Sequence, residues 1–223
     1  MGKLMHVIGL PLFGILFAAA LGAQNSPALS PAAAQEKRIL FLGDSLSAGS
    51  GVQAQQAFPA LVGEKVRKRG LPFEVVNAGV GGDTTAGGLR RLDWLLQRKV
   101  DVLVLELGGN DGLRGLPVEN IKINLQGMID KAKAKHPDVK IVVAGMQMPP
   151  NVGAKYAEEF RQAFFDVAER NNATMIPFLL EGVGGLREYN QPDLIHPNPL
   201  GHKIVADVVW KTIEPMLTDS SPK

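Results

Sequence analysis

Five short, nearly unbroken apolar runs punctuate the chain, at Arg38–Leu42, Phe73–Val76, Val100–Leu107, Val139–Ala144 and Thr174–Phe178. Runs of this length without polar alternation describe strands covered on both faces. Between them, apolar residues recur at spacings of three and four. Leu89, Leu92, Leu95 and Leu96 form one such stripe, Ile121, Leu125, Ile129 and Ala132 a second, and Tyr156, Phe160, Ala163, Phe164 and Val167 a third. A fourth runs through Leu200, Ile204, Val205, Val208, Val209 and Ile213. These are the core-facing sides of amphipathic helices. Strand–helix alternation confines the chain to an α/β architecture, a mostly parallel sheet of about five strands with helices on both faces. The basic run Glu64–Arg69, ending at Gly70, reads as a solvated last helical turn with its cations at the negative end of the helix dipole.

The first 34 residues belong to something else. Lys3 precedes an apolar run from Val7 to Leu21, followed by the small residues Ala18, Ala19, Ala20, Gly22 and Ala23. That run fits the apolar region of a secretory signal peptide, about 7–15 residues long, and falls short of the roughly 20 needed to span a membrane. Cleavage is expected after Ala20 or Ala23, or at Ala32–Ala34 beyond a Ser/Pro/Ala-rich linker. Residues 1–34 are thus read as leader and linker, and 35–223 as a single domain, exported to the periplasm or beyond, monomeric, and without a membrane span once mature. The polar tail Thr218–Lys223 is expected to fray.

Composition removes several kinds of chemistry. The 223-residue chain has no cysteine, which excludes a disulfide scaffold, a thiolate nucleophile and a Cys-ligated zinc site. Its 24 Lys+Arg against 22 Asp+Glu argue against a nucleic-acid binder held by phosphate contacts. No His-rich spacing suggests a metal, and no glycine fingerprint suggests a dinucleotide or phosphate loop, because Thr84 stands where the third glycine would be. No cofactor is expected. Asp44, Asp83 and Asp111 are read as loop-forming residues, and Glu106, inside the third strand, receives no role.

In parallel sheets ligands sit beyond the carboxyl ends of the strands. There the sequence places Gly43-Asp44-Ser45-Leu46-Ser47, then Asn77–Thr84, then Gly108-Gly109-Asn110-Asp111, and after a glycine-rich loop Asp193-Leu194-Ile195-His196-Pro197. Between Gln35 and Asp219 the chain has three serines, Ser45, Ser47 and Ser50, all in the first of these loops. A serine nucleophile would therefore be one of them, and Ser45, at the strand-to-loop turn, is best placed. By itself it would read as a turn or cap hydroxyl. A serine hydroxyl needs a general base. His196, fixed among Pro192, Pro197 and Pro199, is the candidate, with Asp193 able to orient its ring. His202 falls in the first turns of the last helix without an upstream carboxylate, and His136 in a surface turn before Pro137. The amides of Ser45 and Gly82 and the carboxamide of Asn110 could stabilise an oxyanion.

Taken together, Gly-Asp-Ser-Leu at 43–46, Gly82, Gly-Gly-Asn-Asp at 108–111 and Asp-Leu-Ile-His-Pro at 193–197 resemble the four blocks of the GDSL/SGNH hydrolases, in the family's order and over about residues 37–217. Asn77–Thr84, Leu105–Gly115 and Phe178–Gly185 are most similar to its secreted thioesterase I, arylesterase and lysophospholipase L1 branch. The resemblance implies a three-layer, flavodoxin-like α/β/α fold with strand order 2-1-3-4-5. It also implies Ser45 as nucleophile, Asp193 with His196 as the base pair, and Ser45, Gly82 and Asn110 as oxyanion donors. Gly81 stands where close relatives lead one to expect serine. The implied substrate is a small-molecule ester or thioester with an acyl or aryl group. Met146, Met148 and Pro149 of the loop after the fourth strand, with Phe178, Leu179, Leu180 and Val183, are expected to hold it, since methionine side chains adapt to acyl chains. A carbohydrate acetylesterase and a non-catalytic binding module are the alternatives.

Overall fold

The computed structural model describes residues 1–2 and 36–218, so the expected leader and its cleavage sites lie outside the described residues, as does the tail beyond Thr218. From Glu36 onward the chain lays down β1 (Lys37–Gly43), β2 (Phe73–Gly79), β3 (Val102–Glu106), β4 (Lys140–Ala144) and β5 (Thr174–Ile176). All adjacent pairs are parallel, and the order is β2-β1-β3-β4-β5. Both the five-stranded parallel sheet and its order agree with the expectation from sequence.

The unbroken apolar runs are explained at the centre of the sheet. Ile39, Leu40, Phe41 and Leu42 of β1 and all of β3 are buried, because helices cover both faces there. The expectation fails for β2. It is an edge strand, and of its seven residues only Phe73 is buried. β5 stops at Ile176, two residues short of the expected end, because Pro177 has no amide hydrogen to offer a ladder.

The long helices are α2 (Phe58–Lys68), α3 (Thr85–Leu95), α5 (Val118–Lys135), α6 (Ala154–Arg170) and α7 (Pro199–Thr218). α2 packs beside α7, while α5 packs between α3 and α6. Right-handed crossovers place these two groups on opposite faces of the sheet. The stripes seen in the sequence face the core, as with Phe160, Ala163, Phe164 and Val167 of α6, except that Leu200, at the start of α7, is exposed. Two short helices, α1 (Ser45–Ala48) and α4 (Gly109–Leu113), follow β1 and β3 directly and lie at the carboxyl edge of the sheet.

His202 has a structural task. α2 begins at Phe58 with Ala57 as its cap, which has no side-chain acceptor for the exposed amides of the first turn. His202 Nδ1, 144 residues away in sequence, accepts the Phe58 N–H at 3.2 Å, and its ring stacks on Phe58. The side chain is 1% exposed, and burial, with the neighbouring His196, pushes its pKa down from 6.5 to about 4. The unfolded chain therefore takes up a proton below the ordinary histidine value that the folded chain refuses. This stabilisation is complete above pH 6.5 and is lost as the pH falls from 6.5 towards 4. At about 1.4 kcal/mol per pKa unit the loss approaches ~3 kcal/mol. Denaturant titrations at pH 7 and pH 4.5 should show wild type losing roughly 2–3 kcal/mol more than His202→Gln.

Candidate active site

β1 ends at Gly43, and the chain turns at once into α1. Asp44 is its N-cap, and Asp44 Oδ1 accepts the Leu46 N–H at 3.0 Å. Glycine at 43 is obligatory here, since a Cβ would overlap Ser47 Oγ and Glu106 Oε2. Ser45 is the first residue of the helix. Its Oγ lies 2.9 Å from His196 Nε2, and His196 Nδ1 lies 2.7 Å from Asp193 Oδ2. Asp193 Oδ1 also accepts the amides of Ile195 and His196 at 2.9 and 3.0 Å. The His196 amide is the first of the causes that hold its pKa down at about 2. Asp193 is thus a carboxylate across the working range, and the hydrogen on Nδ1 points at it. The Nε2 lone pair then faces the serine hydroxyl.

The turn that closes this arrangement is strained. Leu194 is held at φ 59°, a region costing a branched residue about 1–3 kcal/mol. The loop is secured by Gln191. Its amide takes the His196 carbonyl at 2.8 Å, and its side-chain Nε2 donates to Pro197 O at 3.1 Å and across to Ser50 O at 2.6 Å. One side chain therefore ties the His196 loop to the Ser45 loop.

Asn110, in the first turn of α4, turns its carboxamide into the same space. Nδ2 donates to Asp44 Oδ2 and to Asp83 O, both at 3.0 Å. Burial raises the Asp44 pKa to about 6, an effect moderated by the hydrogen bonds from Leu46 and Asn110. Gly82 adopts φ 76°, and its carbonyl accepts Arg114 Nη2 at 2.9 Å. The Arg91 guanidinium gathers the strand ends, with Nε on Asp83 at 2.7 Å, Nη1 on Ala78 O at 2.7 Å and Nη2 on Gly43 O at 3.0 Å. Asp111 receives the amide and hydroxyl of Thr85. The three aspartates read as loop-forming each anchor a loop in this way. Of the other two serines in this loop, Ser47 is buried and Ser50 offers its carbonyl to Gln191. His136 bonds Leu96 O at 3.0 Å, far from this edge.

Beside Ser45 runs a groove of about 750 Å³. Met146, Met148, Pro149 and Phe178 line it. Leu179 does not. It is fully buried, with its amide on Gly145 O, and the alternation beyond β5 presents Phe178 and Leu180 instead. Val183 is likewise in the core. Leu46, Leu113, Leu194 and Ile195 complete the apolar wall. The last three are more than a third exposed, and their apolar character within otherwise polar motif loops was the signal available in the sequence. Among the described residues no group of three or more His, Cys, Asp and Glu side chains could hold a metal ion. Nor is any described helix long and apolar enough to cross a membrane.

Residues 41–204 match the GDSL-like Lipase/Acylhydrolase family. The chain is 42% identical over 185 residues to Esterase TesA of Pseudomonas aeruginosa, covering 82% of this chain and 91% of that protein. It is 35% identical over 190 residues to Thioesterase 1/protease 1/lysophospholipase L1 of Escherichia coli K12, covering 85% and 89%. The crystal structure of TesA superimposes with a TM-score of 0.78 at 40% identity, over 81% of this chain and 99% of that one.

The Gln191 bridge gives a direct test of this geometry. Gln191→Ala should lower kcat/KM for p-nitrophenyl esters about tenfold or more if His196 acts as the base, because a misplacement of about 1 Å is costly. The far-ultraviolet circular dichroism should be unchanged.

Proposed function

The chain belongs to the GDSL-like lipase/acylhydrolase family and is an ester hydrolase, and we propose that it cleaves carboxylic esters and acyl thioesters through an acyl-enzyme on Ser45. The observation that carries this reading is the unbroken line from Ser45 Oγ through His196 to Asp193, at 2.9 and 2.7 Å.

In the first half-reaction the Ser45 oxygen forms a bond to the substrate carbonyl carbon while its proton passes to His196 Nε2. The carbonyl electron pair moves onto oxygen. Asp193, ionised throughout, balances the imidazolium. The amides of Ser45 and Gly82 and the Asn110 carboxamide receive the oxyanion. Before substrate binds, Asp44 Oδ2 and Asp83 O take both Asn110 Nδ2 hydrogens, and the developing charge competes with the neutral Asp83 carbonyl for one of them. Collapse breaks the bond to the alcohol or thiol, which leaves with the proton from His196. Water, deprotonated by the same ring, then attacks the acyl carbon and returns Ser45.

The groove supports an acyl or aryl group as the recognised part, with Met146, Met148, Pro149, Phe178 and Leu180 as its wall. This apolar lining favours acyl and aryl substrates, lysophospholipids among them, over acetylated carbohydrate. Export is part of the proposal, supported by the leader-like first 34 residues. Acyl-coenzyme A, a cytosolic pool, is then not the natural thioester.

Ser45→Ala should abolish hydrolysis of p-nitrophenyl esters, whereas Ser50→Ala should not. Asn110→Ala should reduce kcat by about 10²–10³, the usual consequence of losing one oxyanion donor. A fall of less than about threefold would remove Asn110 from that role. With a series of chain lengths, octanoyl esters should be preferred to acetyl esters. Preference for acetylated xylan would favour the carbohydrate reading.

A further inference from the structure

Glu106 is the last residue of β3, in register with Gly43 at the end of β1. It is completely buried. Its Oε2 faces the turn that carries Ser45, accepting the Asp44 N–H at 3.2 Å and the Ser47 N–H at 3.0 Å, with Ser47 Oγ at 2.5 Å. Its other oxygen, Oε1, is buried without a hydrogen-bond partner.

Accounting for the amides of this turn shows what the carboxyl does. The first N–H groups of a helix have no partner within it. In α1 the amides of Asp44 and Ser47 go to Glu106, and that of Leu46 goes to Asp44 Oδ1. The Ser45 amide is the one that neither carboxyl takes. We infer that Glu106 is a positioning residue of the esterase site, an uncharged carboxyl that binds the amides on both sides of Ser45 and so leaves the Ser45 N–H aimed at the oxyanion. This rests on the proposed role of Ser45 and extends it to a residue that touches no substrate.

The uncharged form follows from the surroundings. A carboxylate with one oxygen orphaned in a dry interior is far more costly than a neutral acid that keeps Oε2 as its carbonyl acceptor and carries its proton on Oε1. Ser47 Oγ–H donates to that same Oε2 in the neutral acid, so the short contact needs no charge. Burial and the adjacent Asp44 carboxyl act in the same direction, holding the Glu106 pKa well above the ordinary range. Needed as an acceptor and not as a charge, Glu106 should be replaceable by glutamine.

The test compares Glu106→Gln, Glu106→Leu and Glu106→Asp for p-nitrophenyl ester hydrolysis, with thermal unfolding as the check on folding. Glutamine keeps an acceptor at the same reach and should retain kcat within about threefold. Leucine releases both amides and aspartate withdraws the acceptor by one methylene, so each should lower kcat about 10²-fold with KM little changed. If the leucine variant does not fold, the aspartate variant carries the same comparison. Unchanged kcat in whichever of these folds would overturn the inference, and so would a glutamine variant as impaired as they are. Ser45→Ala, assayed alongside, separates the two levels. Activity in that variant sinks the nucleophile assignment itself, while a Ser45-dependent enzyme indifferent to residue 106 sinks only the role of Glu106.

Discussion

The site depends on how the three strands at its base end. Gly43 of β1 pairs with Gly79 of β2 on one side and with Glu106 of β3 on the other. A side chain at Gly43 would strike Ser47 and Glu106, and one at Gly79 would strike the backbone of Ser47 and Ala48. The two glycines therefore let α1 settle onto the sheet edge, with Ser45 on its outer side. Arg91 draws the ends of β1 and β2 together through Gly43 O and Ala78 O and holds Asp83 beside them. Asp83 in turn offers its carbonyl to Asn110. The Ser45 turn, the Gly82 loop and α4 are thus one hydrogen-bonded assembly, and in the proposed mechanism donors held in this way need little rearrangement as charge develops.

Carboxyl groups in the site divide by environment. Asp193, wrapped by two backbone amides and the imidazole, is held at a pKa of about 2 and supplies a permanent negative charge. Asp44, buried beneath the serine turn, is pushed up to about 6, and Glu106 is held well above the ordinary carboxylate range. The charge that the imidazolium needs lies at the solvent side, where it is inexpensive to maintain. Beneath Ser45, burial works against charge on both carboxyls, which limits the negative charge stacked under the site.

Much of the fold is legible in the sequence because it is decided locally. Unbroken apolar runs and spacings of three and four report burial directly, and loops beyond strand ends collect the polar residues that form the site. What the sequence hides is contact between distant segments. Glu106 looks like an anomaly inside a strand until β3 is laid beside β1. Gln191 reveals its task only when the Ser50 carbonyl arrives from 141 residues away. His202 reads only as a histidine in the first turns of the last helix, yet it supplies the missing acceptor at the start of α2. Leu179 and Leu180 cannot be assigned to core or groove without the direction of the chain after β5. The partial exposure of β2 requires knowing that it lies at the edge.

Covalent capture of the nucleophile tests the central claim most directly. The protein is treated with a p-nitrophenyl phosphonate ester, which forms a stable adduct with an activated serine, and the modified peptide is located by tandem mass spectrometry. A single phosphonyl group on Ser45, absent after prior unfolding, is the result expected from a hydroxyl activated by His196. An adduct on Ser47 or Ser50, or none in a protein that still hydrolyses esters, would contradict it.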